Sequence, residues 1–141
     1  MYSAYLEKAK MLLSKTESTC VLCGEQVIIT DKRRGVRPLL DLVESNTDVA
    51  GFSAADKVVG KAAAFLYCLL KIHRLFAKVI SQPALDVLQE HGIVVEYETL
   101  VPSIQNRTNT GPCPMESAVW NTQDPEIALE QIQEKLGELA K

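Results

Sequence analysis

The chain lacks a long hydrophobic run: its longest apolar stretch, AAAFLYCLL at residues 62–70, is about half of what a membrane-crossing helix needs. No charged-then-apolar leader opens it either, so no membrane association and a cytoplasmic location are expected. Positive charge is also short. Fifteen Lys and Arg against 18 Asp and Glu leave a net charge of -3, with a pI near 5.4, which removes the broad positive field that nucleic-acid binding uses. The exception is local: Lys32, Arg33, Arg34 and Arg37 cluster, and a small anion would suit them. With 7 Gly, 6 Pro, 47% hydrophobic and 23% charged residues, the chain has neither the bias of a disordered segment nor that of low complexity. At 141 residues a single domain, 1–141, is expected, large enough to fold without metal or disulfide staples.

Chemistry-bearing motifs are equally scarce. No glycine-rich phosphate loop, G-x-S-x-G elbow or H-E-x-x-H is present. Four cysteines and two histidines remain, and in a cytoplasmic protein the thiols stay reduced. Cys20 and Cys23 have the C-x-x-C spacing of a zinc half-site, but they fall on a predicted strand without a second ligand pair. Cys68, inside FLYCLL, reads as a small buried hydrophobe. His73 falls in a strand, and His91 falls at a helix end, where a histidine suits the dipole. Neither a metal nor a cofactor is expected.

What is present is a clear order of elements. Tyr5, Leu6, Ala9, Leu12 and Leu13 recur on one face of a helix over 2–14. Two short β-prone runs, 19–23 and 26–30, flank Gly24-Glu25 and read as a hairpin. Pro38 suits the first turn of a helix in VRPLLDLVES, and a longer helix is predicted over 54–70, with Gly60 and Ala62, Ala63 and Ala64 as a small-residue face against a sheet. A strand at 72–80, a helix at 83–91, a turn at Gly92 and a strand at 93–101 make a parallel pair with a right-handed crossover. Helices at 114–121 and 125–139 close the chain, the last with Leu129, Ile132, Leu136 and Leu139 on one side. The sum is a three-layer α/β/α sandwich around a mixed sheet, an antiparallel hairpin joined to parallel strands.

In such sheets ligands bind beyond the carboxyl ends of the strands, where helix N-termini converge. Three segments qualify: SAAD at 53–56, SQPA at 81–84 and GPCPME at 111–116. Ser53 and Asp56 have capping-box spacing, so Asp56 is either a cap partner or a site carboxylate. Lys57 is either a solvated charge or a functional amine. Pro114 suits the first helical position, which makes Cys113 the N-cap and Glu116 the third helical residue, again with capping-box spacing. Cysteine is a poor cap, so a second reason for it is sought, and a thiol at a helix N-terminus is a stabilised nucleophile. Arg107 could clamp a carboxylate or phosphate, or pair with Glu116.

The words DKVVGKAAAFL (56–66), VIS before a helix (79–81), Asn106-Arg107 and CPMESAV (113–119) resemble a domain-of-unknown-function family of bacteria and archaea, family 1893. The resemblance runs from the hairpin to Val119 and implies a cytidine deaminase-like fold. It imports no activity. Zinc deaminases of that fold carry H-x-E or C-x-E and P-C-x-x-C; here the corresponding places hold Ala55-Asp56-Lys57 and Ser81-Gln82-Pro83-Ala84, with no His or Cys, so zinc-dependent deamination is not expected.

Three readings follow. The first is a metal-independent small-molecule site, for a nucleotide-like or other phosphorylated metabolite. In it Cys113 is the nucleophile, Glu116 or Asp56 the acid/base, and Lys57, Ser81 and Arg107 the binding groups. The second is a non-catalytic ligand-binding or regulatory module on the same scaffold. The third is an interaction protein, homo-oligomeric or bound to a partner through an exposed helix face or sheet edge, in which the polar residues are only caps.

Overall fold

The computed structural model describes residues 2–106 and 108–140. Among them, α1 (Tyr2–Lys15), β1 (Cys20–Cys23), β2 (Ile28–Asp31), α2 (Arg37–Glu44), β3 (Ser53–Val59), α3 (Lys61–Leu70), β4 (Arg74–Ser81), α4 (Gln82–Glu90), β5 (Val94–Val101), α5 (Pro114–Ala118) and α6 (Pro125–Leu139) follow in turn. The strands form one mixed sheet in the order β2-β1-β3-β4-β5. β1 runs antiparallel to both β2 and β3, whereas β3, β4 and β5 are parallel.

The expected single helix over 54–70 is two elements. Residues 53–59 form a strand, and the helix starts only at Lys61, after an extended Gly60 (φ -96°, ψ -179°). Ala and Asp have little strand preference, and a central strand buried on both faces shows no alternation. SAADKVV is such a strand: Ser53, Ala54, Ala55, Asp56 and Val59 are all buried. The Ser53–Asp56 capping box therefore does not exist. The strand it belongs to adds a second parallel crossover, so α3 and α4 both connect parallel neighbours.

Strand alternation divides the core. Cys20, Leu22, Ala54, Leu75 and Ala77 join a large cluster with α2, α3, α4 and α6. Val21, Cys23, Ala55 and Phe76 face Leu6, Ala9 and Leu13 of α1, where the period-3.6 stripe read from the sequence is found. α3 is the buried centre of the larger cluster: Phe65, Leu66 and Tyr67 have no accessible surface. The last helix turns Ala128 and Ile132 inward and leaves Leu139 exposed, which trims the apolar side expected for it.

Other boundaries shift by one to three residues, the helix expected over 114–121 ending at Ala118. The second hairpin strand starts at Ile28, and the strand after α3 starts at Arg74, which leaves His73 just outside it. His91 sits at the end of α4, where its Nδ1 lies 2.9 Å from the Val87 carbonyl oxygen.

The β1–β2 turn needs its glycine for space. A Cβ at Gly24 would lie 2.4 Å from the Phe52 ring, so Gly24→Ala is expected to destabilise the protein by about 1–3 kcal/mol, the usual scale for overpacking. Urea unfolding checks it: the midpoint drops while the slope stays constant.

Candidate functional site

The three parallel strands end at one edge of the sheet, and each is followed by a helix start. β3 passes through Gly60 into α3, β4 runs directly into α4, and β5 reaches α5 through the loop at 102–113. Glu116 ties these three exits together. Its side chain is buried, and Oε2 accepts hydrogen bonds from the Lys61 N–H (2.8 Å) and the Ser81 hydroxyl, while Oε1 accepts from the Ile104 N–H (2.7 Å). Ser81 also caps α4 by accepting from the Ala84 N–H at 3.3 Å. Lys61 is buried as well; its Nζ donates to the Trp120 carbonyl at 2.7 Å, and burial lowers its pKa.

This geometry changes the local picture around Cys113. Pro114 does open a short helix with Cys113 as its N-cap, in extended geometry (φ -61°, ψ 126°). The thiol makes no capping hydrogen bond, and Glu116 does not return to the cap: the Cys113 N–H donates to the Ile104 carbonyl at 2.9 Å. Cys113 is partly buried against the large cluster and faces open space on its other side.

That space is a cleft of about 1060 Å³ over the strand ends. Asp56, Cys113 and Glu116 line it, and Lys57 borders both this cleft and the groove on the α1 face of the sheet. Ser81 lies behind the cleft, fully buried, and touches it only through Glu116. Arg107 lies outside the described residues. Sequence reasoning did not connect the basic cluster with this site: Lys32, Arg33, Arg34 and Arg37 border the same cleft, because the β2–α2 connection folds over the end of β3. The run DKRRG was the signal, and only the antiparallel β1–β3 pairing gives it a location. Arg33 is held by Asp31 and Asp41, both at 2.7 Å. Among the described residues, Arg34 and Arg37 make no ion pair and stay exposed.

Under the cleft lies a buried polar chain. Tyr67 donates to Asp56 Oδ2 at 2.7 Å, Cys20 Sγ lies 3.4 Å from the same Tyr67 oxygen, and the Val58 N–H donates to Asp56 Oδ1 at 3.2 Å. In the Cys20–Tyr67 contact either atom can be the donor, according to whether Tyr67 gives its proton to Asp56. Desolvation raises the Asp56 pKa to about 7, opposed by the hydrogen bonds from Tyr67, Val58 and Lys57. It pushes the Tyr67 and Cys20 values well up too. Both groups stay neutral near pH 7, and Asp56 alone of the three titrates there.

The remaining thiols sort by geometry. Cys20 and Cys23 point to opposite faces of the sheet, into different core clusters, so their C-x-x-C spacing does not form a bidentate pair. Among the described residues no group of three or more His, Cys, Asp or Glu could hold a metal ion. The Cys68 thiol is pushed up to about 12 by burial. On the other face of the sheet, a groove of about 680 Å³ runs between α1 and β4–β5, with Lys10 paired to Glu7 and Glu96 across it.

A mixed sheet whose parallel half delivers polar side chains to one edge cleft defines an α/β protein with a ligand-sized cavity at its strand ends. Residues 8–136 match the family described as Domain of unknown function (DUF1893), and the chain belongs to that family. It is similar to the crystal structure of a DUF1893 family protein from Thermotoga maritima, with 28% identity, a TM-score of 0.88, and coverage of 96% of this chain and 92% of that one. No curated protein matches it. No described helix is long and apolar enough to cross a membrane.

Two predictions test the site. Glu116→Gln puts an amide donor among three donors, so a loss of about 2–4 kcal/mol is expected from unsatisfied buried groups, read by denaturant unfolding. The second concerns Asp56. Its folded value, about 7, lies above the roughly 3.9 of an unfolded aspartate. The folded state therefore holds this proton more tightly, and the contribution of Asp56 to stability falls as pH rises from about 4 to about 7. Three pH units correspond to up to about 4 kcal/mol. Asp56→Asn is expected to raise the melting temperature relative to the native chain at about pH 8 and to lose that advantage toward about pH 4, measured by calorimetry across the range.

Proposed function

We propose that the cleft binds a small anionic metabolite, phosphorylated and nucleotide-like, without a metal ion. The observation that carries this reading is the convergence of two exposed arginines, Arg34 and Arg37, which make no ion pair among the described residues, with Asp56, Lys57 and Cys113 on one cleft at the strand ends. Apolar walls from Val36, Leu39, Ala62, Ala63, Ile104 and Met115 suit the body of such a ligand, and the cations suit its anionic group. We read the scaffold as one domain, a three-layer α/β/α sandwich of cytidine deaminase-like type, because α1 covers one face of the sheet and the other helices cover the opposite face. A cytoplasmic setting fits four free thiols.

If the site is catalytic, Cys113 is the nucleophile and Asp56 the acid/base, with Lys57 and Arg107 as binding groups. Ser81 and Glu116 we assign to holding the site. Glu116 already accepts three hydrogen bonds, so its geometry favours anchoring the Cys113 segment over moving a proton. That same engagement favours a second reading, a binding or regulatory module without turnover.

Sulfate, inorganic phosphate and nucleoside monophosphates are expected to raise the melting temperature, by about 2.7 kcal/mol of stability at 100-fold excess over Kd. The gain should fall with rising salt and be lost in Arg34→Ala/Arg37→Ala. Equal stabilisation of this variant would overturn the reading. Peptide-resolved alkylation of the native protein is expected to label Cys113 ahead of buried Cys20 and Cys23 and of Cys68, with bound anion slowing it. Turnover of a protecting ligand separates enzyme from binding module.

A further inference from the structure

Asp56, Tyr67 and Cys20 form a connected polar chain beneath the cleft. Asp56 lies on the middle strand of the sheet, at the floor of the cleft, and is 9% exposed. The groups around it can be taken element by element. From β1 the paired residue is Cys20, from α3 the partner is Tyr67, and from β4 the paired residue is Ala77, which carries no charge. Lys57 is its neighbour on β3, and Cys113 and Glu116 come from the α5 side of the cleft. The β2–α2 connection supplies Lys32, Arg33, Arg34 and Arg37, and Glu17 is the acidic group that precedes β1. Cys20 and Tyr67 are held neutral by burial. An anion entering this cleft meets the basic side chains, of which Arg33 is already paired with Asp31 and Asp41, the acidic side chains Glu17 and Glu116, and one further buried carboxyl group, Asp56, that titrates near neutrality.

We infer that anion capture in this cleft is coupled to protonation of Asp56, with Tyr67 as the positioning residue that holds the carboxyl group and sets how readily it becomes charged. The inference rests on the reading of the cleft as an anion site and adds its regulation. When Asp56 is neutral, it adds nothing to the repulsion that the acidic part of the lining exerts on an incoming anion. When it ionises, a negative charge appears at the floor of the cleft and opposes the ligand. One like charge about 10 Å away at an effective dielectric of about 20 weakens binding by roughly tenfold. The Tyr67 hydroxyl stabilises the ionised form by donating to it, so its removal should delay ionisation to higher pH.

The test measures sulfate binding by calorimetry in the full chain at constant ionic strength, from about pH 5.5 to about pH 8.5, a range over which this probe keeps its charge and an Asp56 titrating near neutrality does not. In the native protein, affinity for the doubly charged sulfate is expected to fall by roughly a hundredfold across the range, the single-charge effect acting on both of its charges. Asp56→Asn should bind with a flat profile, and Tyr67→Phe should shift the midpoint upward. A merely structural Tyr67 would lower stability and leave the midpoint in place. Carboxyl-carbon NMR of the ligand-free protein reads the Asp56 midpoint directly and serves even if Tyr67→Phe fails to fold. Sulfate binding that is independent of pH, a fall that persists in Asp56→Asn, or an Asp56 midpoint near the unperturbed value of about 4 would overturn the coupling and leave the anion site standing. No sulfate binding at any pH would overturn both.

Discussion

The cleft depends on one buried carboxylate. Glu116 receives hydrogen bonds from the first turn of α3, from the cap of α4 and from the loop after β5, whose donors lie 55, 35 and 12 residues away in the chain. A buried charge left unpaired costs several kcal/mol, so these partners are the condition on which the residue is tolerated at all. Two of them are backbone N–H groups, and one of these belongs to a helix N-terminus, whose dipole favours an anion. The fit is close: a Cβ on Gly60 would lie 3.1 Å from Ile104 Cγ1 and 3.2 Å from Glu116 Oε2. One side chain thus fixes the spacing of three strand exits, and Cys113 is placed by its position three residues before that side chain.

What could be read from the sequence follows the range of the forces involved. Local signals survive folding. Pro114 after Cys113 and Pro125 after Asp124 mark helix starts that the structure has, and Asp124 caps α6 by accepting from Glu126 and Ile127. The α1 stripe and the Gly24 hairpin are equally local. β3 was illegible because its character is set by burial rather than by its residues. SAADKVV becomes a strand between β1 and β4, where both its faces are covered, and alanine followed by aspartate reads as helix without that context.

The candidate site shows the same division. Cys113, Glu116, Asp56 and Lys57 were found by looking for polar residues near helix starts. For Asp56 the rule placed the residue at a helix start, whereas it lies within a strand and the helix start is at Lys61. The roles of Tyr67 and Cys20 were out of reach: one was hidden in an apolar helix, the other in a C-x-x-C pattern that suggested metal. Their connection to Asp56 is made by the register that places Cys20 opposite Asp56 and by the helix packed over it. Pairing register is a property of the folded sheet, and no periodicity in the chain announces it.

The placement of Asp56 also argues about purpose. Its ionised form is disfavoured by burial, and neither Tyr67 nor Cys20 offers a compensating positive charge. A neutral residue of similar shape would hydrogen-bond to Tyr67 without that cost, so the packing gives no reason for an acid here. The cleft above it is bordered by the basic side chains of the β2–α2 connection. An acid held near neutrality and joined by hydrogen bonds to neutral partners lowers stability wherever it ionises, and here it lies at the wall of the one cleft that the three parallel strand exits share.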